Sequence, residues 1–240
     1  MFSVGRLIIA STALLSATPA LAGQDSPYLR ARPTSAAQHL PAGVSDIGGT
    51  AVAYRPAAAS GPMPLLVLLH PAGGNGRRFL EQFRPFADRM GFIILAPQSS
   101  ASTWDVARRR HFGPDVQRID AALAQLFAST PIDRSRIAIG GFSDGASYAL
   151  SLGLANPQLF RGVFAMSPGF VTEAGPYAGQ RVFVAHGRRD SVLPFTFAER
   201  DLVSKLDGGG ARVRFKPFEG GHEVDEASLQ EGLRFTLGLR

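Results

Sequence analysis

From residue 50 onward, short apolar runs alternate with stretches whose apolar residues recur every three or four positions. Thr50–Arg55 alternates as a strand. Pro64–His70 (PLLVLLH) is apolar almost throughout, the pattern of a strand covered on both faces. Phe79, Phe83, Phe86 and Met90 then fall on one helix face. The same rhythm predicts strands at Phe92–Ala96, Arg136–Gly140, Gly162–Met166, Arg181–Ala185 and Arg212–Pro217. Gly113-Pro114-Asp115 opens a helix with Val116, Ile119, Leu123, Leu126 and Phe127 on its apolar side. Further helices are predicted at Asp144–Ala155, Pro194–Leu206 and Asp225–Leu237. Repeated strand–helix alternation predicts an α/β fold: a mostly parallel, doubly wound sheet with helices on both faces. No repeat or second composition zone interrupts residues 46–240, which are expected to form one domain.

The first residues follow a different pattern. Arg6 precedes the apolar stretch Leu7–Leu15, Pro19 breaks it, and Ala20-Leu21-Ala22 is a small-x-small cleavage site before Gly23. Residues 1–22 therefore predict a signal peptide, and export to the periplasm or the medium. The stretch is shorter and more polar than the ~20 apolar residues that a membrane span needs, and no later segment could insert stably. Residues 23–45 are rich in Ala, Pro, Ser and Gln without a period, and predict a loose leader over the domain surface.

Composition narrows the chemistry. With no cysteine among 240 residues, disulfides, thiolate metal sites and a cysteine nucleophile are excluded. The net charge is +6, and the basic residues are arginines apart from Lys205 and Lys216. Arg108, Arg109, Arg110 and His111 form one run, which reads as a solvated loop or a contact with an anionic surface. No motif for nucleic acid, dinucleotide or metal accompanies it, so no nucleic-acid partner and no cofactor are expected.

The densest signal lies at Gly141-Phe142-Ser143-Asp144-Gly145, between a buried strand and a helix. A serine on so sharp a turn takes a strained backbone conformation, and its neighbours two residues away must lack a side chain. The turn lifts the hydroxyl above the carboxyl edge of the sheet at a helix N-terminus, where negative charge is favoured. Ser143 is thus the candidate nucleophile. A nucleophilic serine needs a base, and the base needs an orienting acid. Asp190 and His222 each follow a strand end on that same edge, in the order serine, acid, histidine. Glu199 and Asp201 fall inside a helix, while His186 lies too near Asp190 in sequence to be its expected partner. An oxyanion hole needs two backbone donors. Asp144, after the nucleophile, is one candidate. The loop His70-Pro71-Ala72-Gly73-Gly74 supplies the other, and since Pro71 has no N–H, Ala72 is the choice.

These segments, with His186-Gly187-Arg188-Arg189-Asp190, Val192-Leu193-Pro194 and Gly220-Gly221-His222-Glu223, resemble the α/β-hydrolase superfamily. Within it the chain is similar to the small phospholipase/carboxylesterase family and to secreted polyhydroxybutyrate depolymerase-like and feruloyl esterases, over about residues 46–240. The resemblance implies a Ser143–Asp190–His222 triad that hydrolyses small or polymeric carboxylic esters without a cofactor. Pro71 departs from the glycine these families usually carry there. The absence of cysteine argues against the dienelactone hydrolases of the same fold.

Caps in this fold commonly enter after the strand that follows the nucleophile helix. Only Ser167–Gln180 separates that strand from the next, so no cap domain is expected and the site should be open. Gln98–Phe112 is the longest loop on the active edge and could act as a small lid. Within it, Trp104 could either wall a substrate subsite or pack beneath the loop; Phe170 and Tyr177 are weaker subsite candidates. The functional alternatives are a polyester or feruloyl-type esterase, a serine peptidase without the extra domain such peptidases use, and a non-catalytic binding protein on the same scaffold.

Overall fold

In a computed structural model, residues 26–36, 40–58, 61–172, 176–177 and 179–239 are described. The expected signal peptide lies outside them. Eight strands form one sheet in the order β1-β2-β4-β3-β5-β6-β7-β8. β1 (Gly43–Ile47) and β2 (Ala51–Arg55) make an antiparallel hairpin, and β2 runs antiparallel to β4 (Ile93–Pro97). β3 (Met63–Leu69), β4, β5 (Ile132–Phe142), β6 (Gly162–Met166), β7 (Arg181–Gly187) and β8 (Arg212–Phe218) are mutually parallel.

Alternation along the buried strands divides the core in two. Leu65, Val67, Leu69, Ile137 and Ile139 face α3 (Pro114–Ser129), α4 (Asp144–Ala155) and α5 (Val203–Gly208). Leu66, Leu68, Ile94, Ala138 and Phe164 face α1 (Gly76–Met90) and α6 (Glu226–Leu237). The Phe79–Phe83–Phe86 stripe sits in the second layer, as its spacing demands. Asn75 caps α1 by accepting from Arg78 N, and Asp225 caps α6 by accepting from Ser228 N.

Three expectations change. The domain does not begin at residue 46, because β1 crosses that point and pairs residue for residue with β2. The segment before it is not loose where it is described: Leu29 N donates to Asn156 Oδ1, Arg30 N and Ala31 N to Asp120 Oδ1, and Thr34 Oγ1 to Phe127 O. Polar side chains on the domain take up backbone donors of a segment with no regular partner, which composition alone does not reveal. Finally, the helix expected over Pro194–Leu206 is present and runs unbroken over residues 195–208, but its middle, Phe197–Leu202, is π-helical before α5, and a short α2 (Asp105–Arg109) appears inside the long loop.

Candidate active site

β5 ends at Phe142 and α4 begins at Asp144, so Ser143 is the whole turn. Its backbone sits at φ 57°, ψ −123°, a conformation that costs an L-residue about 1–3 kcal/mol. The flanking glycines are required by close approach. A Cβ on Gly141 would lie 2.5 Å from Leu69 O, and one on Gly145 would lie 2.2 Å from the same oxygen. The crossover is that tight because β3 and β5 pair through Leu69 and Gly141.

Asp190 and His222 extend from the ends of β7 and β8, adjacent strands whose pairing runs to Gly187 and Phe218. His222 Nε2 lies 2.9 Å from Ser143 Oγ, and His222 Nδ1 lies 2.8 Å from Asp190 Oδ2. Asp190 accepts, so Nδ1 carries the proton and Nε2 is left to take the serine proton. The carboxyl of Asp190 is fully shielded from water. Burial pushes its pKa up, but the N–H of Leu193, the His222 ring and the N–H of Val192 outweigh that and hold it below the usual carboxylate value. Phe142 packs on the His222 ring at 4.7 Å between centroids. The three residues expected from the sequence are therefore brought together.

Pairing of Leu69 with Gly141 also makes the loop after β3 emerge beside the Ser143 turn. Gly73 N donates to Ser102 O at 2.6 Å and Gly74 N to Pro71 O at 2.9 Å, so both are committed. The Ala72 N–H has no hydrogen-bond partner among the described residues. Asp144 N, at the start of α4, has no partner within its helix. Ala72 and Asp144, the oxyanion candidates read from the sequence, thus each keep a backbone N–H without a backbone partner among the described residues. Pro71 serves through its carbonyl, which also accepts from His70 Nδ1 at 2.8 Å.

His70 holds this wall together. It is fully buried, accepts from Ser99 N at Nε2 (3.2 Å), and its own carbonyl accepts the indole N–H of Trp104 (2.8 Å). Burial pushes its pKa down, so the ring is neutral. Trp104 is fully buried between His70 and Tyr148. The subsite role for Trp104 is thereby corrected: an indole whose N–H must find a partner inside the protein has been used to pin the loop. Tyr177 is likewise buried, against Gly209, whereas Phe170 is only partly buried against the core.

The loop carrying Trp104 is not a free lid. Beyond the contacts above, Thr103 Oγ1 donates to Asp144 Oδ2 at 2.8 Å, and Ser100 N to Asp115 Oδ1 at 2.6 Å. Asp105 and Asp115 are both fully buried and cap each other's backbone: Asp105 N donates to Asp115 Oδ2, and Asp115 N to Asp105 Oδ2. Burial pushes the Asp105 carboxyl up. Neither this pair nor Thr103 carried a motif that sequence reading could use. His186, too near Asp190 in sequence to be its expected partner, nonetheless contacts it. It is fully buried, and its Nε2–H donates to Leu193 O (3.0 Å) while lying 3.2 Å from Asp190 Oδ2. The turn after β7 folds back through Asp190 N and Gly187 O, so closeness in sequence becomes contact.

A doubly wound, mostly parallel sheet with a serine on a strained strand–helix turn, joined to a histidine and an acid at neighbouring strand ends, defines an α/β-hydrolase. The pattern of the Phospholipase/Carboxylesterase family matches residues 111–237, and the chain belongs to that family. Among curated proteins, it is 30% identical to an acetylxylan esterase of Coprinopsis cinerea over 118 residues, covering 45% of this chain and 32% of that one. It is 29% identical to acyl-protein thioesterase 1 of Aspergillus fumigatus, covering 43% and 47%. The chain thus spans a third to a half of the length of these relatives. Among solved structures, the Bacillus cereus carboxylesterase aligns over 78% of this chain and 92% of that one, at 21% identity and TM-score 0.59, which shows the shared fold.

Proposed function

We propose that this chain is a serine hydrolase of carboxylic esters. The observation that carries the reading is the unbroken chain from Asp190 through His222 to Ser143, with Ser143 held at positive φ. Ser143 Oγ attacks the ester carbonyl as His222 Nε2 takes its proton. The carbonyl oxygen, now negative, is received by Ala72 N–H and Asp144 N–H. His222 returns the proton to the departing alkoxide, which leaves as the alcohol, and an acyl group remains on Ser143. Water then attacks the acyl-enzyme with His222 again as base, releasing the acid and restoring the serine. Asp190 fixes the His222 tautomer and stabilises the imidazolium. A fluorophosphonate probe should label the parent and not Ser143→Ala, with fold unchanged by circular dichroism. Labelling that persists in the variant removes the reading.

A site walled by a fixed loop rather than a lid suits esters presented on bulky alcohols, polymers included. The likeness to an acetylxylan esterase favours a second, narrower reading: removal of small acyl groups from a polysaccharide. A panel of p-nitrophenyl esters of rising acyl length, with acetylated xylan, feruloyl esters and a polyhydroxyalkanoate, separates these substrates. Export is part of the proposal and rests on the pattern Arg6, Leu7–Leu15 and Ala20-Leu21-Ala22. Amino-terminal sequencing of protein from the periplasm or medium should begin at Gly23; recovery only from the cytoplasm with Met1 intact refutes it.

A further inference from the structure

A cationic cleft lies at the end of the sheet opposite Ser143, beneath α6. Arg181 opens β7 and pairs in register with Arg212, which opens β8. In-register parallel neighbours project the same way, and alternation along β8 puts Arg214 and Lys216 on the face of Arg212. Arg181, Arg212, Arg214 and Arg234, with Glu231 and Phe235, line a cleft of about 470 Å³. Its carboxylate, Glu231, is already bound to Lys216 at 2.5 Å. Among the described residues, Arg181, Arg212 and Arg214 have no carboxylate at ion-pair distance. Arg181 donates to Thr236 O at 3.0 Å, and Arg214 lies over the Phe235 ring at 4.3 Å. Burial, together with the Arg212 and Arg161 charges, pushes the Arg181 guanidinium down. Clustered like charges of this kind repel until an anion arrives.

We propose that this cleft binds a compact multivalent oxyanion, either free pyrophosphate or phosphate groups carried on a larger molecule. Guanidinium forks match phosphate oxygens in pairs, which lysines do not, and the cleft is lined by arginine. Phe235 is the one aromatic among the described lining residues, and Arg214 lies over a face of its ring. The cleft sits at the amino ends of β7 and β8 while the triad sits beyond their carboxyl ends, so a bound anion leaves the Ser143 side open. The site is independent of what Ser143 does.

Calorimetric titration of the full chain with pyrophosphate tests it. A saturable isotherm is expected, and Arg212→Gln/Arg214→Gln should weaken it about tenfold or more. Arg108→Gln/Arg109→Gln, which removes equal charge from the exposed run, should leave it unchanged. Circular dichroism on each variant separates lost binding from lost fold. Vesicles of phosphatidylglycerol and of phosphatidylcholine identify the source. Binding to phosphatidylglycerol that pyrophosphate displaces makes a lipid headgroup the phosphate carrier, and no vesicle binding makes the ligand soluble. The proposal is overturned by an absent isotherm, by equal weakening in both double variants, or by vesicle binding that pyrophosphate does not displace.

Discussion

Asp190→Asn should cripple the site while changing one atom. The carboxylate takes two backbone donors at Oδ1, from Val192 N at 2.9 Å and Leu193 N at 2.8 Å. At Oδ2 it faces His222 Nδ1 at 2.8 Å and His186 Nε2 at 3.2 Å. An asparagine must keep its oxygen toward the two backbone N–H groups, since an amide nitrogen there would meet two donors. Its NH2 group then takes the place of Oδ2. That forces His222 Nδ1 to accept, moves the proton to Nε2, and points an N–H at Ser143 Oγ, which loses its base. The same NH2 opposes the His186 N–H, which Leu193 O keeps in the Nε2 tautomer. No water can relieve the mismatch, because the Asp190 side chain is sealed. The expected loss in kcat is up to ~10⁴-fold, the order found for the equivalent change in another triad enzyme, or about 5 kcal/mol on the barrier. Steady-state hydrolysis of p-nitrophenyl acetate measures it, and the rate of fluorophosphonate labelling should fall in proportion. Turnover within tenfold of the parent would show that the acid lies elsewhere, with Glu199 and Asp201 next to be replaced.

Ser143→Gly should unfold at a higher temperature than Ser143→Ala, by about 1–2 kcal/mol of stability, because glycine accepts positive φ without strain; equal melting temperatures count against strain at the turn. Gly145→Ala should yield little soluble protein, since its Cβ would sit 2.2 Å from Leu69 O, and a melting curve like the parent's is the contrary result. His70 and His186 have pKa values lowered by burial, so the unfolded chain binds protons that the native chain does not. Stability is therefore complete above the unfolded value near ~6.5 and falls as pH drops toward the folded values; urea unfolding that strengthens between about pH 7 and about pH 5 would contradict this. With the Gln98–Phe112 loop tied to His70, Asp115 and Asp144, hydrolysis of short soluble esters should saturate simply, without a jump when substrate emulsifies.

Local chemistry made much of this protein legible from its residues. Within Pro64–His70, the run Leu65–Leu69 reads as a strand buried on both faces because it offers water no polar side. Gly141 and Gly145 announced the strained turn because only glycine fits so close a crossing. Ser143, Asp190 and His222 followed from strand-end positions in a fold whose order of residues is set by its winding. Contacts between segments far apart in sequence, or folded back on themselves, left no such mark. Trp104 had two equal uses until the carbonyl of His70 was found 2.8 Å from its indole nitrogen. Its short separation counts against His186 as a partner of Asp190, yet the turn at Gly187–Asp190 brings it onto the acid. Asp105 and Asp115 bury two carboxyls with no ion pair among the described residues, and the backbone N–H groups of two helix starts and of Ser100 make that tolerable. The arginines of β7, β8 and α6 were scattered in sequence and became one cleft through strand register. Periodicity and steric exclusion act over a few residues and can be read along the chain. Partner choice for a buried polar group depends on which distant backbone atom arrives beside it, and packing alone decides that.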